Sequence, residues 1–370
     1  MLVWVAACIL GPVVVVGLAI LLLGPVSSLI AGPVVHDLEG REEVVAINAV
    51  RQLLLQTIAG SAGLIVVVFT ARTYLLNRRG QVTDRYAKAI GMLASDKLDE
   101  RIGGVYALEH VMIESERDHE TVVQVLAAFV REHAPAPTAT TSGPPAGAWR
   151  DHSSAGAPSP PETNEPTEPA ADIQAAVTVI GRRPQREEIR GLDLRRIDLR
   201  GADLSGARLE HADLRKSHFK NANLIGAHLR RANLIDAHLE HAYLRGAHLE
   251  DASLLWAFLG YADMRMAHLE NAELSGARLE RANLSGAHLE HADLITAHLE
   301  HANLSKAHLE HAALNGAHLE RADLSEAHLE RADLSGARLE HTNLSGAHLE
   351  HAMLRDTNLE GANLHAAKGL

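Results

Sequence analysis

The chain has 370 residues, 22% of them charged and only 3% aromatic, and its formal net charge is −12 with His neutral. That length allows two or three domains. The acidic balance argues against a general nucleic-acid-binding surface, which needs clustered Lys and Arg, and the single cysteine, Cys8, excludes an intramolecular disulfide framework.

Residues 1–35 are almost continuously apolar, and Leu2 to Leu23 alone is long enough to cross a bilayer. No Lys or Arg precedes Arg41, so the basic region of a secretory signal is missing and a retained transmembrane helix is expected. The Val5-Ala-Ala-Cys8 stretch has the look of a lipidation box but lacks the basic and apolar residues that should precede it. Residues 36–52 are polar, with Asp37, Glu39, Glu42 and Glu43 against Arg41 and Arg51, and read as a short external loop. A second span is expected within 53–79, where Leu53 to Ala71 is apolar but for a few polar residues. Arg72, Arg78, Arg79, Arg85 and Lys88 come after it. Positive residues collect on the cytoplasmic side. The expected protein is therefore a multi-pass plasma-membrane protein with both ends in the cytoplasm.

Residues 80–133 carry helical periodicity. Tyr86, Ile90 and Leu93 share one face; Ile102, Val105, Tyr106, Glu109 and Met112 make a second pattern; Val122, Val125, Leu126, Phe129 and Val130 make a third, with Asp118 as the expected N-cap. His119-Glu120 and Glu109-His110 read as solvated helix surface. Residues 134–171 are rich in Pro, Ala, Ser and Thr and are expected to be a disordered tether that lets the rest of the chain move away from the helices. Residues 172–189 should hold a short helix, capped by Asp172, that covers the open start of the region beginning at residue 190.

From 190 to 370 the chain repeats every five residues. Leu recurs at positions ending in 4 and 9, with Phe219 and Met264 as substitutes, and a small residue sits two places earlier, as in Ala202, Ser217 and Thr342. On a helix, five residues advance about 500°, so successive Leu would spread around the whole circumference. On a straight strand an odd repeat throws successive Leu to opposite faces. A chain that turns a corner every five residues hides both the Leu and the small residue, and its coils stack about 4.8 Å apart as parallel strands do. Units of type Ala-His-Leu-Glu-His alternate with units of type Ala-Asp-Leu-Ser-Gly over residues 287–336. An even number of sides stacks like on like, so four sides and 20 residues per coil are expected. The interior ladder then runs through Leu204, Leu224, Leu244, Met264, Leu284, Leu304, Leu324, Leu344 and Leu364.

The Ala-(Asp/Asn)-Leu-X-X units resemble the pentapeptide-repeat family. The resemblance implies a right-handed, four-sided parallel β-helix, here preceded by two transmembrane helices and a small α-helical region. The stretch from Arg101 to His133 is similar to the membrane-proximal region of actinobacterial membrane-anchored members. Some members mimic duplex DNA and bind gyrase, and gyrase-protecting members dimerise through C-terminal elements that have no obvious counterpart in Lys368-Gly-Leu370.

Of the 24 His, 19 lie after Arg190. His228, His248, His268, His288, His308, His328 and His348 are 20 residues apart and should stack on one side, beside a Glu ladder from Glu270 to Glu350 and a third ladder containing His291, His311 and His351. His288, His291, His308 and His311 are the candidates for a metal, since imidazole suits zinc, copper or nickel. A regular ladder offers parallel side chains and not the converging ligands of a specific site, so no metal and no other cofactor is expected. Neighbouring carboxylates should raise the His pKa values. Residues 190–249 hold 11 Lys and Arg against 7 Asp and Glu, and residues 250–370 hold 9 against 19.

There is no Gly-rich phosphate loop and no nucleophilic triad that the repeat does not already explain. The expected protein is a non-enzymatic, membrane-anchored binding or scaffolding module for an unidentified protein partner, without direct nucleic-acid contact and with a possible homodimer through an open rod end. A gyrase-binding DNA mimic is the alternative, and a His-based metal or pH sensor the second alternative.

Overall fold

The computed structural model describes residues 29, 32, 40–137, 168–186 and 191–369. The expected first span at 1–35 (apart from residues 29 and 32) and most of the linker therefore lie outside the described residues. The chain divides into two units, Met1–Thr83 and Asp84–Leu370.

The first unit contains most of helix α1, Arg41–Leu93. Residues 41–52, expected as an external loop, form the opening turns of this helix. The cause is local: no Gly or Pro falls between Arg41 and Gly60, and Glu42, Ala46, Ala49 and Leu53 favour helix. Within it, Val44–Leu75 spans 32 residues at a mean hydropathy of 2.0 with none of its apolar window buried. Thr57 and Ser61 donate their hydroxyls to the Leu54 and Ile58 carbonyls, so these polar groups are satisfied within the helix. This is one helix long and apolar enough to cross a membrane; among the described residues no second one is found.

In the second unit the end of α1 meets α2 (Leu98–Glu114), and α2 packs with α3 (Glu116–His133) and α4 (Ala171–Gly181), which also pack on each other. The crossing of α2 on α1 requires Gly104, where an added Cβ would lie 2.8 Å from the Leu93 amide nitrogen and 2.9 Å from the Ala89 carbonyl. Val105, Leu108, Val122, Leu126, Val130, Ile173 and Ile180 close the small core. Two expected caps are corrected. Ser115, not Asp118, caps α3: its Oγ accepts from the Asp118 amide and donates to the Asp118 carboxylate. Asp172 lies inside the first turn of α4, because its buried carboxylate is drawn to Arg101, whose Nε donates to it at 2.7 Å. His119 is buried, and Glu109 accepts two hydrogen bonds from Arg182, so neither is the solvated surface residue expected.

Beyond α4 the chain winds into coils. Parallel bridges join residue i to residue i+20 without a break, from Asp193–Asp213 to His348–Lys368. Twenty residues per coil make four sides, each one pentapeptide long. At every corner the Ala amide donates to the preceding Leu carbonyl, as Ala287 does to Leu284 at 2.9 Å. The third residue of that turn has positive φ, 64° at Gly286 and 61° at His291. Left-handed backbone costs a non-Gly residue ~1–2 kcal/mol, which explains the Gly at corners such as Gly206, Gly226, Gly246 and Gly286, although most corners carry other residues. The interior is the expected stack, with Leu204 to Leu344 and Met264 at 0–3% exposure. Leu364, in the last coil, is only half-buried. Ser217 and Thr342 fill Ala slots because their hydroxyls donate to the Leu194 and Leu319 carbonyls at 2.7 Å.

The helices cover the first coil side by side. The Asp198 amide donates to the Ala134 carbonyl, the Asp203 amide to Gln174 Oε1 and the Arg208 amide to the Gly181 carbonyl. Arg131 donates to the Asp193 carbonyl on the remaining side. Each would otherwise be an unpaired strand edge. The expected tether thus does not separate coil from helices: α3 runs straight into an antiparallel bridge between Pro135 and Ile197.

Candidate functional site

Leu and Ala ladders fill the interior of the coil and, among the described residues, leave no substrate cavity there. A shallow cleft of about 440 Å³ lies at the first coil, lined by Arg131, Asp193, Arg195, Arg196, Arg215 and Lys216. Asp193 and Asp213 already neutralise Arg195 and Arg215. What the coil offers chemically is therefore on its outer sides.

Two devices build those sides. In the Ala-(Asp/Asn)-Leu-X-X units the acidic or amide side chain accepts the backbone N–H two residues on, as Asn303 does from Ser305 at 3.0 Å, which satisfies an amide that the ladder leaves over. In the Ala-His-Leu-Glu-His units His Nδ1 faces the Glu carboxylate two residues on, at 3.3 Å for His308–Glu310 and 3.4 Å for His288–Glu290. Stacked Glu repel by roughly 1 kcal/mol per neighbouring pair in water-like surroundings, and the interleaved imidazoles offset this.

The structure brings His288 beside His308, with ring centroids 4.9 Å apart and planes 7° from parallel, and His291 beside His311, at 4.8 Å and 10°. These are two separate stacks, and among the described residues no ring contact joins one to the other. Donor atoms of His288, Glu290 and His308 fall within 4.8 Å of one another. A zinc ion must lie about 2.0–2.1 Å from each nitrogen, along a lone pair in the ring plane. Parallel rings hold their lone pairs parallel, so this trio as it stands does not converge on an ion. Two pairs depart further from parallel and share a carboxylate. Glu330 lies 3.4 Å from His328 and 3.5 Å from His348, whose rings are tilted by 24°. Glu300 lies 3.3 Å from His298 and 3.8 Å from His318, tilted by 31°.

His298 and His318 belong to a ladder that the sequence reading missed. It runs through His218, His238, Phe258, Arg278, His298, His318 and Arg338 on a second side. Its signal was present as the ten-residue alternation, but the aromatic and Arg interruptions hid the 20-residue spacing.

The expected upward shift of His pKa values holds at one place and reverses at another. The Glu300 carboxylate holds the His298 imidazolium, raising it above the ordinary 6.5 against burial. Burial, with repulsion from His238, pushes His218 below 6.5 despite Asp198 and Glu240. Burial presses Glu300 upward, but the His298 hydrogen bond and its own backbone N–H outweigh it, so it ends below 4.5. His298 therefore stabilises fully below its unfolded value of 6.5 and loses that contribution as pH rises through its folded value. Glu300 stabilises above its unfolded 4.5 and loses it as pH falls through its folded value. The pair contributes most between those two ordinary values. His218 has the opposite sign: its contribution is complete above 6.5 and fades as pH falls toward its lower folded value. In an NMR titration His298 should titrate above 6.5 and His218 below it. The reverse order would contradict the environments described.

A family model described as pentapeptide repeats matches in 8 copies over residues 193–231, 227–265, 262–300, 302–340 and 332–368. Among solved structures the chain is similar to the pentapeptide repeat protein Rfr23 from the cyanobacterium Cyanothece 51142, at 44% identity over 23% of this chain and 58% of that one, with a TM-score of 0.23. It is similar to HetL, a pentapeptide repeat protein involved in heterocyst differentiation regulation in Nostoc sp. strain PCC 7120, at 37% identity over 47% and 84% of the two chains, with a TM-score of 0.22. It is also similar to QnrB1, a plasmid-mediated fluoroquinolone resistance protein, at 26% identity over 46% and 88%, with a TM-score of 0.38. A search of curated proteins finds no match.

Proposed function

Residues 193–368 of this chain belong to the pentapeptide-repeat family, and from that premise we propose that the protein is a non-enzymatic, membrane-anchored binding module for another protein. The observation that carries the reading is the division of labour in the coil. The inward positions form a Leu and Ala core that is buried up to the last coil, while the outward positions form straight ladders at strand spacing. Such a surface suits recognition of a regular partner surface and lacks the enclosed, converging groups of a catalytic site. The exposed apolar stretch Val44–Leu75 supplies the anchor. The apolar composition of residues 1–35 and the basic residues after α1's apolar stretch support a reading in which both ends of the chain lie in the cytoplasm.

The acidic excess of residues 250–370 favours a second reading, a DNA mimic that binds a topoisomerase. The imidazoles facing most of its Glu ladder weaken that mimicry. The test is capture of partners by tagged full-length chain from solubilised membranes, at about pH 6 and about pH 8, on either side of the ordinary His pKa. One stoichiometric protein at both pH values supports the proposal. Binding that switches between them brings the His ladders into the interface. Recovery of gyrase favours the mimic, and no partner under either condition contradicts the binding reading.

A further inference from the structure

The imidazole ladder from His228 to His348 is regular until its last step. From His228 to His328 successive rings lie within 7° of parallel, and His248, His268, His288, His308 and His328 each hold Nδ1 3.3–3.4 Å from the Glu two residues on. His348 breaks the pattern. Its ring is tilted by 24°, and its Nδ1 stands 3.5 Å from Glu330 of the preceding coil but 3.9 Å from its own Glu350. Among the described residues it is also the one ring of this ladder with a partner at Nε2, where Lys368 donates at 3.1 Å. Glu330 is thereby shared by two imidazoles, with His328 at 3.4 Å. One donor atom from each of His328, Glu330 and His348 falls within 4.8 Å of the others. At these separations an ion would sit roughly 2.4 Å from all three, so a few tenths of an ångström of closure reaches the ~2.0–2.2 Å of zinc bonds. Among the described residues Glu290 pairs with His288 alone, so the trio of His288, Glu290 and His308 lacks this second short contact.

We propose that His328, Glu330, His348 and Glu350 form a site for a divalent cation of the zinc class, which staples two neighbouring coils. Imidazole and carboxylate donors suit such an ion. Two carboxylates match its charge, and among the described residues neither Glu330 nor Glu350 has an ion pair with Lys or Arg. Glu300, shared by His298 and His318, is placed differently. Arg338 holds Glu320 at 2.8 Å and donates toward His318 Nδ1 at 3.5 Å, which puts a cation where the ion would go. Lys368 sets the resting tautomer of His348. An ammonium only donates, so Nε2 accepts and the ring proton sits on Nδ1. When the ion takes Nδ1, that proton moves to Nε2 and the exposed Lys368 swings away. The site lies next to the open end of the array, where even the inward positions from residue 352 onward are no longer fully buried. An end coil has one neighbour instead of two, so a bond across coils stabilises most there. This inference does not rest on the partner-binding reading.

The test is a zinc titration of the full chain in lipid nanodiscs against a competing chelator. One zinc per chain should resist the chelator. Glu330→Gln or His328→Asn should weaken that zinc roughly tenfold or more, and Lys368→Met should tighten it about threefold, since one hydrogen bond no longer has to break. Glu290→Gln, at the equivalent place two coils earlier, should leave it unchanged. All four are outward, partly exposed side chains, so the Leu core is kept. Zinc should also slow exchange of the His348 and Arg331 amides, which donate to the Ala327 and Glu350 carbonyls, and should not do so in Glu330→Gln. Uptake of several equivalent ions, or equal losses from Glu290→Gln and Glu330→Gln, would spread the zinc along the ladder and overturn the proposal. Tight uptake that survives Glu330→Gln, or zinc that leaves those two amides unprotected, would overturn it as well.

Discussion

Leu304→Ala is expected to lower the unfolding free energy by about 2–5 kcal/mol. Leu304 is fully buried, and its interior ladder neighbours are Leu284 and Leu324, one coil either way. The space cannot collapse easily, because the Leu304 amide is tied to the Asp323 carbonyl and the Asn303 amide to the Ala282 carbonyl. Coil spacing is thereby fixed on both sides of the cavity. Leu364→Ala, at a half-buried position in the last coil, should cost about 1 kcal/mol or less. In a stacked array each coil contacts only its neighbours, so the loss should also be local. Hydrogen exchange should accelerate around residues 284–324 before it does near the first coil. Equal losses from the two substitutions would contradict a core built of stacked interior ladders.

Asp172→Ala should lower stability by about 3–5 kcal/mol. Asp172 is 2% exposed and its partner Arg101 20% exposed, so removing the carboxylate strands a largely buried guanidinium. Arg101 also donates to the Ser95 and Asp96 carbonyls, which fixes it in place and prevents a retreat to solvent. The effect should appear at a predictable place. α4 would loosen, and the amides of Asp203 and Arg208, which donate to Gln174 and Gly181, would be the first in the coil to exchange. A freed edge also invites pairing with another chain, so soluble oligomers should accompany the loss. Replacing both partners, Asp172→Leu with Arg101→Met, should recover most of the stability, since apolar groups of similar size leave no stranded charge. No recovery would mean that Asp172 acts through something other than this pair.

The coil was legible in the sequence because its rule is local and repeated. Leu at every fifth place fits neither a helix nor a straight strand, and the ten-residue alternation of His-Glu with Asp-Ser units selects four sides. The cap on the first coil was not legible, because its contacts join residues far apart in sequence: Arg101 with Asp172, Arg182 with Glu109, and Ala136 with Arg196. Composition suggested a linker starting at residue 134, yet its first residues pair with the coil edge, since an edge strand accepts almost any sequence through backbone bonds alone. The His ladder of residues 288 and 308 was legible as spacing. Its chemistry was not, because ring tilt decides whether imidazoles converge, and tilt depends on how the adjoining Glu sits.

We propose that the outer sides of the coil, and not an enclosed site, bind the partner. The most direct test places a photo-crosslinking residue, one at a time, on each side of the full chain in its own membranes. Exposed corner positions such as Thr296, Lys306, His311 and Arg321, one for each side, keep the core intact. Cross-links to the captured partner are expected from one or two adjacent sides, repeated at positions 20 residues apart. Cross-links confined to α2 and α3, with none from any side of the coil, would contradict it and leave the coil as a spacer.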